Sequence, residues 1–135
     1  MTSPSGHRAL VVEAKLSGSL EQATSQLREY MRAVGADVGL VVMRDRIRIL
    51  REMYRGEPSI QIVGEFPTHL ADGLAAAQDE VDFEDRIQRW LEALRDHEQV
   101  AAGPQLAALV EHVLPSLAEG IVRAARPRPG RAAAR

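Results

Sequence analysis

The sequence has no cysteine, only one lysine, and no uninterrupted apolar stretch long enough to cross a bilayer. Without cysteine, neither a disulfide framework nor a thiolate zinc site is available. The start, MTSPSGHRAL, lacks the apolar block of a secretory signal, so the expectation is a soluble protein in a reducing cytoplasm with no membrane role. No glycine-rich phosphate loop and no G-x-S-x-G elbow occurs, which removes the nucleotide-binding and serine-hydrolase readings. The four histidines fall in separate segments without metal-ligand spacing. No internal repeat is present, and 135 residues suffice for one domain with a real core.

What is present is unevenly charged. Residues 1–56 carry nine basic and six acidic side chains, residues 57–120 carry three basic and thirteen acidic ones, and the last fifteen residues carry five arginines and no acid. A nucleic-acid surface is therefore excluded from the acidic middle and has to come from the first third or the tail. Sixteen of the seventeen cations are arginine. Lys15, a compact ammonium in a chain that otherwise uses guanidinium, becomes a candidate for chemistry.

Periodicity predicts a strand over 9–16, with Val11, Glu13 and Lys15 on one face and Val12, Ala14 and Leu16 on the other. Ser19 followed by Gln22 opens a helix whose apolar stripe is Leu20, Ala23, Leu27, Met31 and Val34, and Gly35 ends it. Residues 38–43 read as a buried strand, so strand, helix and strand imply a right-handed parallel crossover. A half-exposed antiparallel strand over 46–54 and a short edge strand over 59–63 complete the expected sheet. Beyond Pro67 the pattern is helical. Thr68 is expected to cap a helix to about Gln78, and Asp82 one bearing Phe83, Ile87, Trp90, Leu91 and Leu94. After Gly103 and Pro104 a last helix carries Leu106, Leu109, Val110, Val113 and Leu117, kinked or split at Pro115.

The expected fold class is α/β: a mixed sheet of three or four strands, one crossover helix and a C-terminal helical cluster. Residues 1–66 form the sheet unit, 67–125 the helical segment packed on it, and 126–135 a disordered basic tail.

Glu13 and Lys15, two apart on a strand, project from the same face. That pairing suits metal-assisted phosphodiester hydrolysis, in which a carboxylate holds Mg²⁺ and an ammonium orients the attacking water or offsets phosphorane charge. An ordinary ion pair is the plain alternative. The following helix adds Gln22, Gln26 and Tyr30 as a polar stripe, and the arginines at 44, 46, 48 and 51 either track a phosphate backbone or protect a sheet edge.

LVVEAKL, then QLREYM, then the strand VGLVVM resembles the PD-(D/E)XK nuclease superfamily, particularly the nuclease domain of type I restriction enzyme motor subunits and RecB-like nucleases. The resemblance covers roughly residues 8–54 and the C-terminal half of the core, so the fold it implies is an incomplete restriction-endonuclease-like sheet. It implies Mg²⁺-dependent DNA cleavage. Glu13 and the Ala14 carbonyl would be metal ligands, Lys15 would support the water, and Gln26 and Tyr30 would position substrate or brace the site.

The family's catalytic aspartate lies on the strand ahead of the Glu-x-Lys strand, and residues 1–12 hold no acidic side chain. Little activity is therefore expected from this chain alone. Four explanations stay open: a start assigned too late, a degenerate remnant, a strand exchanged from a second copy, or a restriction-system subunit supplying the missing hairpin. The competing expectation is a catalytically inactive remnant or protein-interaction module. An unrelated α/β domain with an accidental motif is the third.

Overall fold

The computed structural model describes residues 10–71, 73–97, 106–118 and 122–124. The element order is β1 (Leu10–Lys15), α1 (Leu20–Val34), β2 (Val38–Met43), β3 (Arg46–Glu52), β4 (Ile60–Pro67), α2 (Glu80–His97), α3 (Leu114–Ala118) and β5 (Val122–Ala124). Two 3-10 turns, Thr68–Leu70 and Leu74–Ala76, join β4 to α2, and a π turn, Leu109–Val113, runs into α3. The class is α/β, as the pattern of strands and helices predicts. No helix among the described residues is long and apolar enough to cross a membrane.

Local chemistry sets α1 closely. The Ser19 side chain accepts a hydrogen bond from Gln22 N at 3.1 Å, and Gly35, at φ 72°, donates to Met31 O and stops the helix. β2 follows at once and pairs parallel with β1 from Leu10↔Val38 to Lys15↔Met43. β3 pairs antiparallel with β2, and β4 antiparallel with β3, giving the order β4-β3-β2-β1-β5. The sheet thus has five strands where three or four were expected, because the short β5 adds parallel to Leu10–Val12. Three residues carry no periodicity from which to read a strand.

Helices cover both faces. Leu10, Val12, Leu40, Val42, Ile47 and Ile49 meet Phe83, Ile87, Trp90, Leu91 and Leu94 of α2 and Leu109, Val113 and Leu117 in one large apolar cluster. On the other face Val11, Val41, Met43, Leu50 and Ile60 meet Ala23, Leu27 and Met31 of α1 in a smaller one. β2 is buried along its whole length, as a strand covered on both sides must be. The close approach of α1 depends on Gly39, where a Cβ would stand 2.7 Å from Met31 Sδ.

Five expectations are corrected. β3 is an interior strand with Arg48 buried, not a half-exposed one, and β4 runs on to Pro67, with a bulge opposite Ile49 and Leu50. No helix forms from Thr68 to Gln78: the Thr68 hydroxyl donates to Met43 O at 2.8 Å instead of capping, and Gly73 at φ 77° breaks the run. Asp82 is not the cap of α2. Asp79 Oδ1 accepts from Asp82 N at 2.8 Å and Asp82 Oδ2 accepts from Gln78 N at 3.0 Å, a reciprocal box that starts the helix earlier. Ahead of Pro115 the last helix widens into the π turn, and Val110 turns outward at 42% exposure. The expected break at Gly103–Pro104 and the basic tail lie outside the described residues.

Candidate functional site

β1 alternates Leu10, Val12 and Ala14 toward the large core with Val11, Glu13 and Lys15 toward α1. Glu13 and Lys15 therefore share a face, and Ala14 turns its side chain away from both. Glu13 is only 1% exposed, Lys15 is 29% exposed, and Lys15 Nζ lies 3.8 Å from Glu13 Oε2. A carboxylate sunk this far needs a cation close by, and the lysine keeps its head toward solvent while meeting that need.

The register extends this face across the sheet. Glu13 stands beside Val41, Val41 beside Arg48, and Arg48 beside Glu65. At about 4.8 Å between strands, the Arg48 backbone is roughly 10 Å from that of Glu13. Arg48 donates through Nε to Glu65 Oε1 at 3.0 Å, and through Nη1 to Glu21 Oε2 at 3.2 Å and Thr24 Oγ1 at 3.1 Å. Arg46 Nε donates to Glu65 Oε2 at 2.9 Å. Burial pushes the Glu65 carboxyl up, but the two guanidinium hydrogen bonds outweigh it and hold the group below the usual carboxylate range.

The position of Gln26 and Tyr30 follows from helix geometry. Glu21 and Thr24 reach Arg48 on β3, and Arg28 Nε reaches Ile60 O on β4 at 3.0 Å, so that flank of α1 faces β3 and β4. At about 100° per residue, Gln26 and Tyr30 fall on the opposite flank, which overlooks β1. Thr24 meets the row that contains Glu13, and Leu27 and Met31 meet Gly39 in the neighbouring row with Val11. Gln26 is thus level with the space between the rows, and Tyr30, half-buried against the smaller core, is level with Val11. The structure brings Glu13 and Lys15 together, while Gln26 and Tyr30 lie on the flank of α1 turned toward β1, with Tyr30 level with Val11 and a row away from Glu13.

Sequence reasoning named Arg48 for a phosphate or edge role it does not show, and missed its partners Glu65, Glu21 and Thr24. The signal was available in part: Arg46 and Arg48 flank Ile47 and precede Ile49, so both arginines had to share the face opposite two core isoleucines. It also missed Glu80, whose Oε2 accepts from Leu16 N at 3.1 Å and so brings α2 to the end of β1. Arg44 Nη1 donates to Ala75 O and Ala77 O at 3.1 and 3.2 Å, and Arg51 meets His112 at 2.9 Å. All four arginines of the Arg44–Arg51 stretch already serve acceptors within the fold, and β3 is no edge.

Magnesium asks for near-octahedral oxygen coordination, usually with at least one or two carboxylates beside waters and phosphate. Among the described residues no three histidine, aspartate or glutamate side chains gather to hold a metal ion. Glu65 lies three strands from Glu13 and is engaged by two arginines. Glu13 and the Ala14 carbonyl do not by themselves make a magnesium centre. Comparison with protein-family models, curated proteins and solved structures finds no match. The interpretation of the site therefore rests on its own geometry.

Proposed function

We propose that the chain is the Glu-x-Lys half of a restriction-type nuclease core, related to the PD-(D/E)XK superfamily, and that it hydrolyses DNA phosphodiesters with Mg²⁺ once an acidic strand completes the site. The observation that supports this is the Glu13–Lys15 pair on one face of a strand in a parallel crossover; the Gln26–Tyr30 flank of the crossover helix lies on the β1 side. β5 pairs with Leu10–Val12 and stops short of Glu13, so among the described residues the outer edge of Glu13–Lys15 carries no strand. A second copy or a restriction-system subunit is the source of the added acid in this proposal.

A second reading, a catalytically inactive remnant or protein-interaction module, is favoured by the lack of a metal-binding group among the described residues. Relaxation of supercoiled plasmid DNA, with and without Mg²⁺, by the native chain, Glu13→Ala and Lys15→Ala distinguishes the two. Because the acid comes from outside the chain in this proposal, the nuclease reading expects little nicking by the native chain alone and, once a restriction-system subunit that supplies the acid is added, Mg²⁺-dependent nicking that both substitutions remove. No nicking by any of the three even then supports the remnant, and nicking that survives both substitutions rejects the site.

A further inference from the structure

The lateral edges of the sheet differ in their defences. β4, at one end, carries a bulge opposite Ile49 and Leu50, the half-buried charge of Glu65 and a terminal Pro67, features that discourage a further strand from pairing there. Toward the other end β1 has neither bulge nor proline, and Leu10, Val11, Val12 and Glu13 are buried as an interior strand is. Its ladder with β2 runs over all six residues Leu10–Lys15, after which Leu16 N–H turns to Glu80 Oε2. An ordinary strand is about 5–6 residues long, so this edge has room for one. β5 takes only the first three positions, Leu10–Val12.

We infer that the whole outer edge of β1 is a docking edge for an extended, acid-bearing segment of a different polypeptide, and that β5 is a placeholder which this segment displaces. The need for an acid rests on the nuclease reading, whereas the edge itself rests on the backbone. Among the described residues three positions stand open, Glu13–Lys15, and a strand of ordinary length pairing with them runs on into the place of β5. The longer strand is the stronger competitor, because each further pair adds ladder hydrogen bonds and side-chain contacts. A second copy of this chain does not supply the carboxylate. Residues 1–12 and 122–135 hold no acid, and the described acids lie on helices, in turns or on strands already held in the sheet. Lys15 suits an acidic partner: its ammonium is 29% exposed and 3.8 Å from Glu13 Oε2, so a carboxylate placed beside it on a neighbouring strand meets a cation.

The test follows amide hydrogen exchange of Leu10–Lys15 by NMR in the full native chain and in Arg123→Pro, which removes a backbone donor from β5 and restricts its φ. The probe is a short synthetic peptide of alternating valine and threonine with one central aspartate, beside its asparagine counterpart. The expected result is slowed exchange at those amides of Leu10–Lys15 that β2 does not engage, and a preference for the aspartate peptide. Arg123→Pro should bind it about tenfold or more tightly than the native chain, because apparent affinity scales with the fraction of molecules whose edge is vacant. Equal affinity for the two proteins, unchanged exchange at Glu13–Lys15, or no preference for aspartate overturns the docking edge. Dimerisation of Arg123→Pro alone, with the same amides slowed, overturns the assignment to a different polypeptide. Should Arg123→Pro fail to fold, the native chain decides: amides of Val122–Ala124 that stay protected while the peptide binds contradict displacement, and amides that lose protection support it. No readout here uses cleavage, so peptide docking without nicking in the partnered plasmid assay leaves the edge standing and rejects the nuclease reading alone.

Discussion

The two faces of the sheet are built by different means. Under α2, the π turn and α3, twenty buried apolar residues form one cluster and the described contacts are almost all hydrocarbon. Under α1 the apolar cluster is less than half that size and gives way, toward the ends of β1, β2 and β4 and the start of β3, to Glu13, Lys15, Arg46, Arg48, Glu65 and Thr24. A fold that needed only stability would gain little from buried charge, because desolvation offsets most of the Coulomb attraction. The large cluster stabilises the sheet, and the α1 face gathers the buried and half-buried charges, including the proposed site.

The contrast is most strongly tested on the hydrocarbon side. Phe83 is fully buried, and Phe83→Ala should cost about 3–5 kcal/mol in chemical denaturation, through lost burial and the cavity left behind. On the α1 face, Arg48→Met removes hydrogen bonds to Glu65, Glu21 and Thr24 and should cost about 2 kcal/mol. Pairing it with Glu65→Gln should recover part of that loss, since Arg48→Met leaves the half-buried carboxylate with Arg46 as its one remaining guanidinium partner. If Arg48→Met proves as damaging as Phe83→Ala, the polar face is a stabilising core after all.

Glu65 also gives the α1 face a pH dependence. Its carboxyl is held below the ordinary range in the folded chain, so its contribution is complete above the unfolded value of about 4.3 and disappears as pH falls through the lower folded value. Glu65→Gln should flatten the acid limb of the stability profile below about pH 4. An unchanged acid limb would show that the two arginines do not favour the ionised form.

A smaller effect, away from both faces, concerns Tyr54, which adopts a left-handed backbone at φ 61°. Its hydroxyl donates to buried Asp37 and its N–H to Glu52 Oε2 at 2.8 Å. The hydrogen bond to Asp37, then burial and the charges of Asp37 and Glu52, raise the phenol to about 12. Stability from this contact is full below the ordinary tyrosine value of about 10 and is lost as pH rises through the folded value. Ultraviolet titration should show one tyrosine ionising near 12, and Asp37→Asn should bring it down toward the ordinary value.

How much of this was legible in the sequence depends on the range of the interactions involved. Ser19, Gln22 and Gly35 act within one or two turns, so α1 and the β1–α1–β2 crossover could be read directly, and Glu13 and Lys15 shared a face by alternation alone. Thr68 could not be read correctly, because its hydroxyl is committed to Met43, twenty-five positions away. Arg48 is buried because α1 supplies Glu21 and Thr24 and β4 supplies Glu65, partners that no local pattern on β3 announces. Gln26 and Tyr30 were singled out by their spacing, yet the row each occupies depends on how closely Gly39 admits α1.

The Glu13–Lys15 corner is tested most directly by titrating the intact chain with Mg²⁺ while following the Glu13 carboxyl and Lys15 ammonium resonances by NMR. With a single carboxylate in place, no saturating, site-specific shift should develop. A saturable shift of both resonances that Glu13→Gln abolishes would contradict the incomplete centre and show that these residues hold the ion unaided.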